Sequence, residues 1–107
     1  MIQMSYSKAN NIFGSIQRGL LGNVTPNLRA VYVQIENETT FHLLFYYNNP
    51  PTEDEQELAS LVDTEVLADF PSPFFKTDFS VLTLSYPNPI PDVGFCMFYR
   101  YEKKYLN

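Results

Sequence analysis

Two alternating segments joined by a short polar turn constrain the fold of this chain more than any other feature. In LRAVYVQIE, residues 28–36, Val31, Val33 and Ile35 fall on the same side of an extended chain. The segment FHLLFYY, residues 41–47, alternates in the same way. The turn between them is too short for a crossover connection, so we predict an antiparallel hairpin with one face buried.

A helix with well-marked ends follows the hairpin, between NNPP and PSP. Thr52 followed by Glu55 has the spacing of a capping box. Glu53 and Asp54 suit the first turn, where the helix dipole favours negative charge. The helix is expected to end near Phe70, because a residue that precedes proline disfavours helical geometry. Apolar residues at helical spacing predict its buried stripe: Leu58, Leu61, Val62 and Val66.

The remaining chain supplies one more helix and two more strands. Residues 7–21 have helical apolar spacing and are followed by Gly22, a residue typical of the position after a helix. TDFSVLTLSY (77–86) and FCMFYRYE (95–102) predict strands on either side of a loop that contains three prolines. We therefore predict one α+β domain over residues 1–107, in the order αββαββ, with a four-stranded antiparallel sheet and two helices packed on one face. The expected core residues are Val31, Val33, Ile35, Leu58, Val62 and Val66.

Composition argues against several classes of function. A formal net charge of −5 over 107 residues argues against nucleic-acid binding through a basic surface. Cys96 and His42 are each the only residue of their kind, and no CxxC or HExxH spacing occurs, so we expect no metal and no cofactor. No apolar stretch approaches the roughly 18 residues of a membrane span, and no signal peptide is visible. We expect a cytoplasmic protein without membrane contact.

Two acids fall on the predicted apolar stripe of the second helix. With Leu58 as the reference on a helical wheel, Glu65 and Asp69 lie about 20° to either side of it. A carboxylate facing the core is costly unless it is paired or hydrogen-bonded. Arg29, Arg100, His42 or a tyrosine hydroxyl could serve as partners. We predict a structural polar group formed by Glu65, Asp69 and Arg100.

The charges are segregated along the sequence. From Ala30 to Phe75 there are nine acidic residues and no Lys or Arg, while all seven basic residues lie in the rest of the chain. A negative region of this kind steers and captures a basic protein partner. The residues predicted to contact such a partner are Glu36, Glu38, Glu53, Asp54, Glu57 and Asp63. The alternative is an acidic helix face that is merely solvated.

Two other functional hypotheses remain open on the residues alone. Glu65, Asp69 and His42 could act as the acid–base group of a small hydrolase if they converged on one water molecule. A homodimeric structural protein could instead associate through an uncovered face of the sheet, although we favour a monomer. The first hypothesis requires a shared pocket, and the second requires an exposed sheet face.

Three stretches, GLLGNVTPNLRAV, FYYNNPPTEDEQELASLVDTEVLADFP and FYRYE, give the chain a family resemblance. Over about residues 12–102 it resembles small bacterial immunity proteins of contact-dependent growth inhibition and related polymorphic toxin systems. The resemblance implies a non-enzymatic protein that binds and neutralises a cognate toxin domain one-to-one, often a nuclease, inside the producing cell. It implies shared positions at Glu65, Asp69 and Arg100 without assigning them to an interface. Nuclease toxins tend to be basic because they hold phosphates, which suits an acidic inhibitor.

Overall fold

The structure is a computed structural model that describes residues 6–37, 40–70 and 76–102. Within these residues lie two helices and four strands, in the order that the sequence predicted. The elements are α1 (Tyr6–Leu20), β1 (Leu28–Asn37), β2 (Thr40–Tyr47), α2 (Glu53–Ala68), β3 (Lys76–Thr83) and β4 (Phe95–Tyr99).

The end of α1 and the start of α2 lie at residues that carry sequence signals. Gly22 follows α1 with a φ of 78°, a left-handed conformation that favours glycine. At the start of α2, the Glu55 amide donates to the Thr52 hydroxyl at 3.1 Å, and the Thr52 amide donates to the Glu55 carboxylate at 3.0 Å. The predicted capping box is thereby confirmed.

The sheet is mixed, with strand order β3-β2-β1-β4. β1 pairs antiparallel with β2, as the hairpin prediction required, and antiparallel with β4. The prediction of a wholly antiparallel sheet is wrong, because β3 pairs parallel with β2. The cause is the length of α2. Its 16 residues span about 24 Å, which is close to the length of β2, about 26 Å. The helix therefore returns the chain to the end of the sheet where β2 begins, and β3 starts there and runs in the same direction as β2.

Both helices pack on one face of the sheet and form the main core with it. Val31, Val33 and Ile35 are buried there as predicted, whereas Leu58 is only half-buried. The side chains that meet in this core include Ile12, Ile16 and Leu20 of α1, Ala59, Val62 and Val66 of α2, and Leu43 and Phe45 of β2.

The proline-rich loop between β3 and β4 covers part of the other face. Since β3 and β4 occupy opposite edges, the chain from Thr83 to Phe95 crosses the sheet on the side away from the helices. This connection buries a second, smaller apolar cluster. Leu84, Ile90 and Val93 of the loop pack against Ala30, Tyr32 and Tyr46 of the sheet. The sheet face that was expected to be uncovered is therefore closed in this region.

The loop approaches the backbone of β1 closely at Gly94. A Cβ atom added to Gly94 would lie 2.4 Å from the carbonyl oxygen of Val33, a backbone atom that cannot swing aside. Beside it, the Gln34 side-chain amide donates to the Val93 carbonyl at 2.8 Å. Only glycine fits this approach without moving the loop.

We predict that Gly94→Ala destabilises the protein by about 1–3 kcal/mol, as overpacking against a fixed neighbour does. Gly14→Ala is the matched control, because its added Cβ would meet only the flexible end of Arg18, at 3.5 Å, within α1. The control should raise stability by up to about 1 kcal/mol through helix propensity. Chemical denaturation measures both. Equal effects of the two substitutions would contradict the close approach at Gly94.

Candidate functional site

Three acids and a leucine stand together on the outward side of α2. Glu53, Asp54 and Glu57 are exposed in the first two turns, and Leu61 is 46% exposed one turn further along. These four residues are called the α2 surface below. Part of it lines a shallow groove of about 560 Å³, whose wall comprises Asp54, Glu57, Leu58, Ser60, Leu61 and Thr64. An apolar side chain beside charged ones has, on a small scale, the layout of a protein interface with its apolar centre and polar rim.

The other acids predicted for the interface lie elsewhere. Glu36 is exposed near the end of β1, about 26 Å from Leu28 at 3.3 Å per residue. Because α2 begins near Leu28, Glu36 lies far from the acids of the α2 surface. Asp63 is half-buried and accepts a hydrogen bond from the Thr77 hydroxyl, and burial raises the pKa of its carboxyl. Glu38 lies outside the described residues. Of the five predicted residues that the structure describes, it brings together Glu53, Asp54 and Glu57.

Glu65 does not face the core, so its predicted position on the apolar stripe is wrong. The buried row of α2 passes through Ala59, Val62 and Val66. At 100° per residue the centre of this row lies about 70° from Leu58, which leaves Glu65 about 90° away and in solvent. The reason is the close approach of α1: a Cβ added at Gly19 would lie 3.3 Å from the Val62 side chain, so small side chains are favoured on this side of α2.

Asp69 has partners that the sequence analysis did not consider. It is the C-cap residue of α2, and its carboxylate accepts a hydrogen bond from the Ser15 hydroxyl and one from Arg18 Nη2 at 3.3 Å. These bonds hold the pKa of Asp69 below its usual range, the Ser15 bond most strongly. Asp69 therefore ties the end of α2 to α1. The predicted polar group of Glu65, Asp69 and Arg100 does not assemble, because Arg100 binds other partners.

His42 lies on the sheet face away from the helices, so the predicted hydrolase group of Glu65, Asp69 and His42 does not form either. Its Nε2 lies 2.9 Å from the Ser80 hydroxyl and its Nδ1 lies 3.4 Å from an Asp78 oxygen. This order resembles a serine–histidine–aspartate triad. However, the Asp78 side chain is 78% exposed, where water screens its charge, and none of the three residues lines the groove on α2. We interpret it as a polar bridge between strands.

A buried arginine forms the strongest polar cluster in the described residues. The Arg29 side chain is 1% exposed and the Glu102 side chain is 4% exposed. Arg29 Nε and Nη2 donate to the two Glu102 oxygens at 2.7 and 3.0 Å, and Nη1 donates to the Leu84 carbonyl at 2.6 Å. The bidentate geometry is the strongest form of arginine–carboxylate pairing. It joins β1 to the crossing loop and to the chain after β4.

A second arginine shares the same carboxylate. Arg100 Nε donates to Glu102 at 3.0 Å, and its Nη1 donates to the Pro26 carbonyl at 2.8 Å. The hydrogen bonds from Arg29 hold the pKa of Glu102 below its usual range, although burial opposes this shift. The hydrogen bond from Arg100 and the positive charges of both arginines lower the pKa further. Above the cluster is a shallow cavity of about 200 Å³, called the arginine pocket below, which is lined by Tyr86, Arg100, Tyr101 and Glu102.

A β-bulge explains why Arg29 points away from the helices. The pairing of β1 with β2 shifts between Leu28 and Ala30, so Arg29 is the extra residue of β1. A bulge re-aims the side chain of the strand, and here Arg29 points to the face of the crossing loop, with the Tyr86 ring 5.8 Å from its Cζ. From the sequence, Arg29 and Arg100 were expected only as partners of Glu65 and Asp69. The Arg-x-Glu spacing of FYRYE was the visible signal for this cluster.

Among the residues that the structure describes, no group of three or more His, Cys, Asp or Glu side chains could hold a metal ion. Within the same part of the chain, no helix is long and apolar enough to cross a membrane.

A small α+β fold with an acidic, leucine-centred surface has the features of a protein-binding domain. Comparison with known families identifies the family of the chain. Residues 9–102 match the MafI2 immunity protein family, and the chain belongs to that family. The match confirms the resemblance to immunity proteins of polymorphic toxin systems. A search of curated proteins found no match.

The buried cluster generates a stability prediction. Glu102→Gln removes the only charge that offsets Arg29 and Arg100 within the cluster, and we expect it to destabilise the protein by about 3 kcal/mol at pH 7, as breaking a buried ion pair does. The exposed Glu65→Gln is the matched control and should change stability by less than about 0.5 kcal/mol. Urea unfolding measures both.

The same pair predicts a pH dependence. The folded-state pKa of Glu102 is lowered, so its contribution is complete above the ordinary glutamate pKa of about 4.3 and is lost as the pH falls through the folded value. The stability gap between wild type and Glu102→Gln should therefore narrow below about pH 4.3. A gap that stays constant from pH 7 to pH 3 would show that ionisation of Glu102 does not stabilise the fold.

Proposed function

We propose that this protein neutralises a cognate toxin by direct one-to-one binding, without catalysis, in the cytoplasm of the cell that makes the toxin. The α2 surface is the proposed contact region, and a basic nuclease domain is the proposed partner. The observation that carries the proposal is the exposure of Glu53, Asp54 and Glu57 on the same side of α2 as the exposed Leu61, in a member of an immunity protein family.

The charge of the α2 surface suits a nuclease. Enzymes that hold a phosphate backbone present cationic side chains, so an inhibitor with an acidic face attracts the same region that binds the substrate. Glu53 and Asp54 also lie in the first turn of α2, where the positive end of the helix dipole stabilises them on the free protein. Attraction between opposite charges mainly accelerates encounter, and an inhibitor made beside its toxin benefits from fast capture.

The apolar part of the α2 surface would hold the complex together. Leu61 is surrounded by polar side chains and lines the groove, so a partner side chain could cover it and exclude water. Charged residues at the rim of an interface govern the association rate, while buried apolar contacts govern dissociation. The two parts of the α2 surface therefore make separable contributions.

Binding kinetics test this proposal. The toxin domain encoded immediately upstream of the gene is the expected partner. Reversing Glu53, Asp54 and Glu57 to Lys should slow association at least about tenfold near physiological salt and change dissociation less. Growth rescue in cells that express the toxin should weaken in parallel. For the wild type, added salt should slow association, because screening acts over roughly 8–10 Å.

A charge-matched control separates the α2 surface from net charge. Reversing the exposed acids Glu36, Glu65 and Asp92 to Lys moves the formal net charge from −5 to +1, as the first triple variant does. The control should slow association less than the α2 variant. If both triple variants slow association equally, the α2 surface is only a solvated helix face. Size-exclusion chromatography with light scattering tests the one-to-one ratio against a homodimer.

A further inference from the structure

The arginine pocket carries a charge opposite to that of the chain as a whole. Arg29 and Arg100 share the single carboxylate of Glu102, so the cluster has a formal charge of +1 in a chain of −5. Arg29 is buried, whereas the Arg100 side chain is 27% exposed at the pocket. The positive charge is therefore accessible through Arg100.

The pocket lies at the same end of the molecule as the start of α2. The Thr25 hydroxyl and the Asn27 amide donate to the Glu55 carboxylate at 2.5 and 3.2 Å. The residue between them, Pro26, accepts the hydrogen bond from Arg100. One turn thus contacts the α2 N-terminus on one side and the arginine pocket on the other.

Exposed apolar groups accompany this turn. Leu21 is 77% exposed, Val24 is 39% exposed, and Tyr101, at the pocket, is 81% exposed. Tyrosine and arginine are enriched among the residues that dominate binding energy at protein interfaces. Together with the acids of α2, this end of the molecule has an acidic region, apolar side chains and one aromatic-lined cation.

We propose that the arginine pocket receives an Asp or Glu side chain of the same toxin domain that contacts the α2 surface. Arg100 would donate to the partner carboxylate, and Tyr86 and Tyr101 would flank it. This inference rests on the proposed function and adds the chemistry of a second contact. The favoured occupant is a single protein carboxylate, because a chain with a formal net charge of −5 repels the many phosphates of a nucleic acid far more strongly than one carboxylate on a basic domain.

The shared carboxylate of Glu102 prepares the pocket for this role. Glu102 and the Pro26 carbonyl hold the Arg100 guanidinium in place, so little side-chain freedom is lost when a ligand binds. A cation in this position also repels any toxin that presents a Lys or Arg there. The pocket therefore selects among basic toxins, which the acidic α2 surface alone would attract without distinction.

Equilibrium binding to the toxin domain encoded upstream tests the inference. Tyr101→Ala removes an exposed side chain and should raise the dissociation constant at least about tenfold. Leu67→Ala truncates an apolar side chain that is 37% exposed in the last turn of α2, and it should weaken binding less than about twofold. Equal effects of the two truncations would overturn the inference.

Double-mutant cycles identify the partner group. Arg100→Gln is combined with Asp→Asn or Glu→Gln at each acid of the toxin domain, and one toxin acid should show a coupling of at least about fivefold. Thermal melting checks that Arg100→Gln folds; if it does not, Arg100→Lys, which keeps the charge but loses the planar fork, takes its place. Wild-type binding without any coupled acid would overturn this inference alone. Absence of wild-type binding would overturn the proposed function as well.

Discussion

The bidentate pair between Arg29 and Glu102 is the interaction on which the arrangement of this protein most depends. It forms only because a bulge in β1 turns Arg29 away from the helices, onto the face crossed by the loop after β3. Three segments that are distant in sequence, β1, the crossing loop and the chain after β4, meet at one guanidinium. Both partners are almost completely buried, so removing either would leave an uncompensated charge in a medium that solvates it poorly.

The same end of the molecule carries the features that we assign to binding. The capping box fixes the start of α2, and Glu55 also accepts hydrogen bonds from the turn that precedes β1. Although burial opposes ionisation of Glu55, the bonds from Thr25, Thr52 and Asn27 hold its pKa below the ordinary value. The acids of the α2 surface are thus presented by a helix terminus whose position is fixed. A rigid surface loses less conformational entropy when a partner binds.

The sequence predicted the features that local physical rules determine. The hairpin followed from side-chain alternation, and the start of α2 followed from Thr52 and Glu55, because these signals act within a few residues. The direction of β3 could not be predicted, since it depends on where α2 crosses the sheet. Glu65 was misplaced for a related reason. Leu58 was taken as the centre of the buried stripe of α2. The close contact with α1 at Gly19 instead favours burial of the smaller side chains of Ala59, Val62 and Val66.

The proposed binding surface was only partly visible in the sequence. The segregation of charges along the sequence indicated the acids of α2, but it also placed Glu36 in the same surface. A count of charges along the chain does not show that β1 separates Glu36 from α2 in space. The buried cluster beneath the arginine pocket could not be predicted, because Arg29 and Glu102 are 73 residues apart in the sequence and their pairing depends on a bulge. The Arg-x-Glu ending was visible, yet nothing local indicated that Arg29 would meet it. Long-range pairing of this kind requires the three-dimensional structure.

Hydrogen exchange of the protein with and without its toxin domain locates the interface. We expect slower amide exchange in the complex at the start of α2, in the turn at residues 21–27 and around Arg100 and Tyr101. We expect little change at Asn37 and Thr40, at the opposite end of the sheet. Protection confined to that opposite end, or to the strand surface around His42, would show that the toxin binds elsewhere.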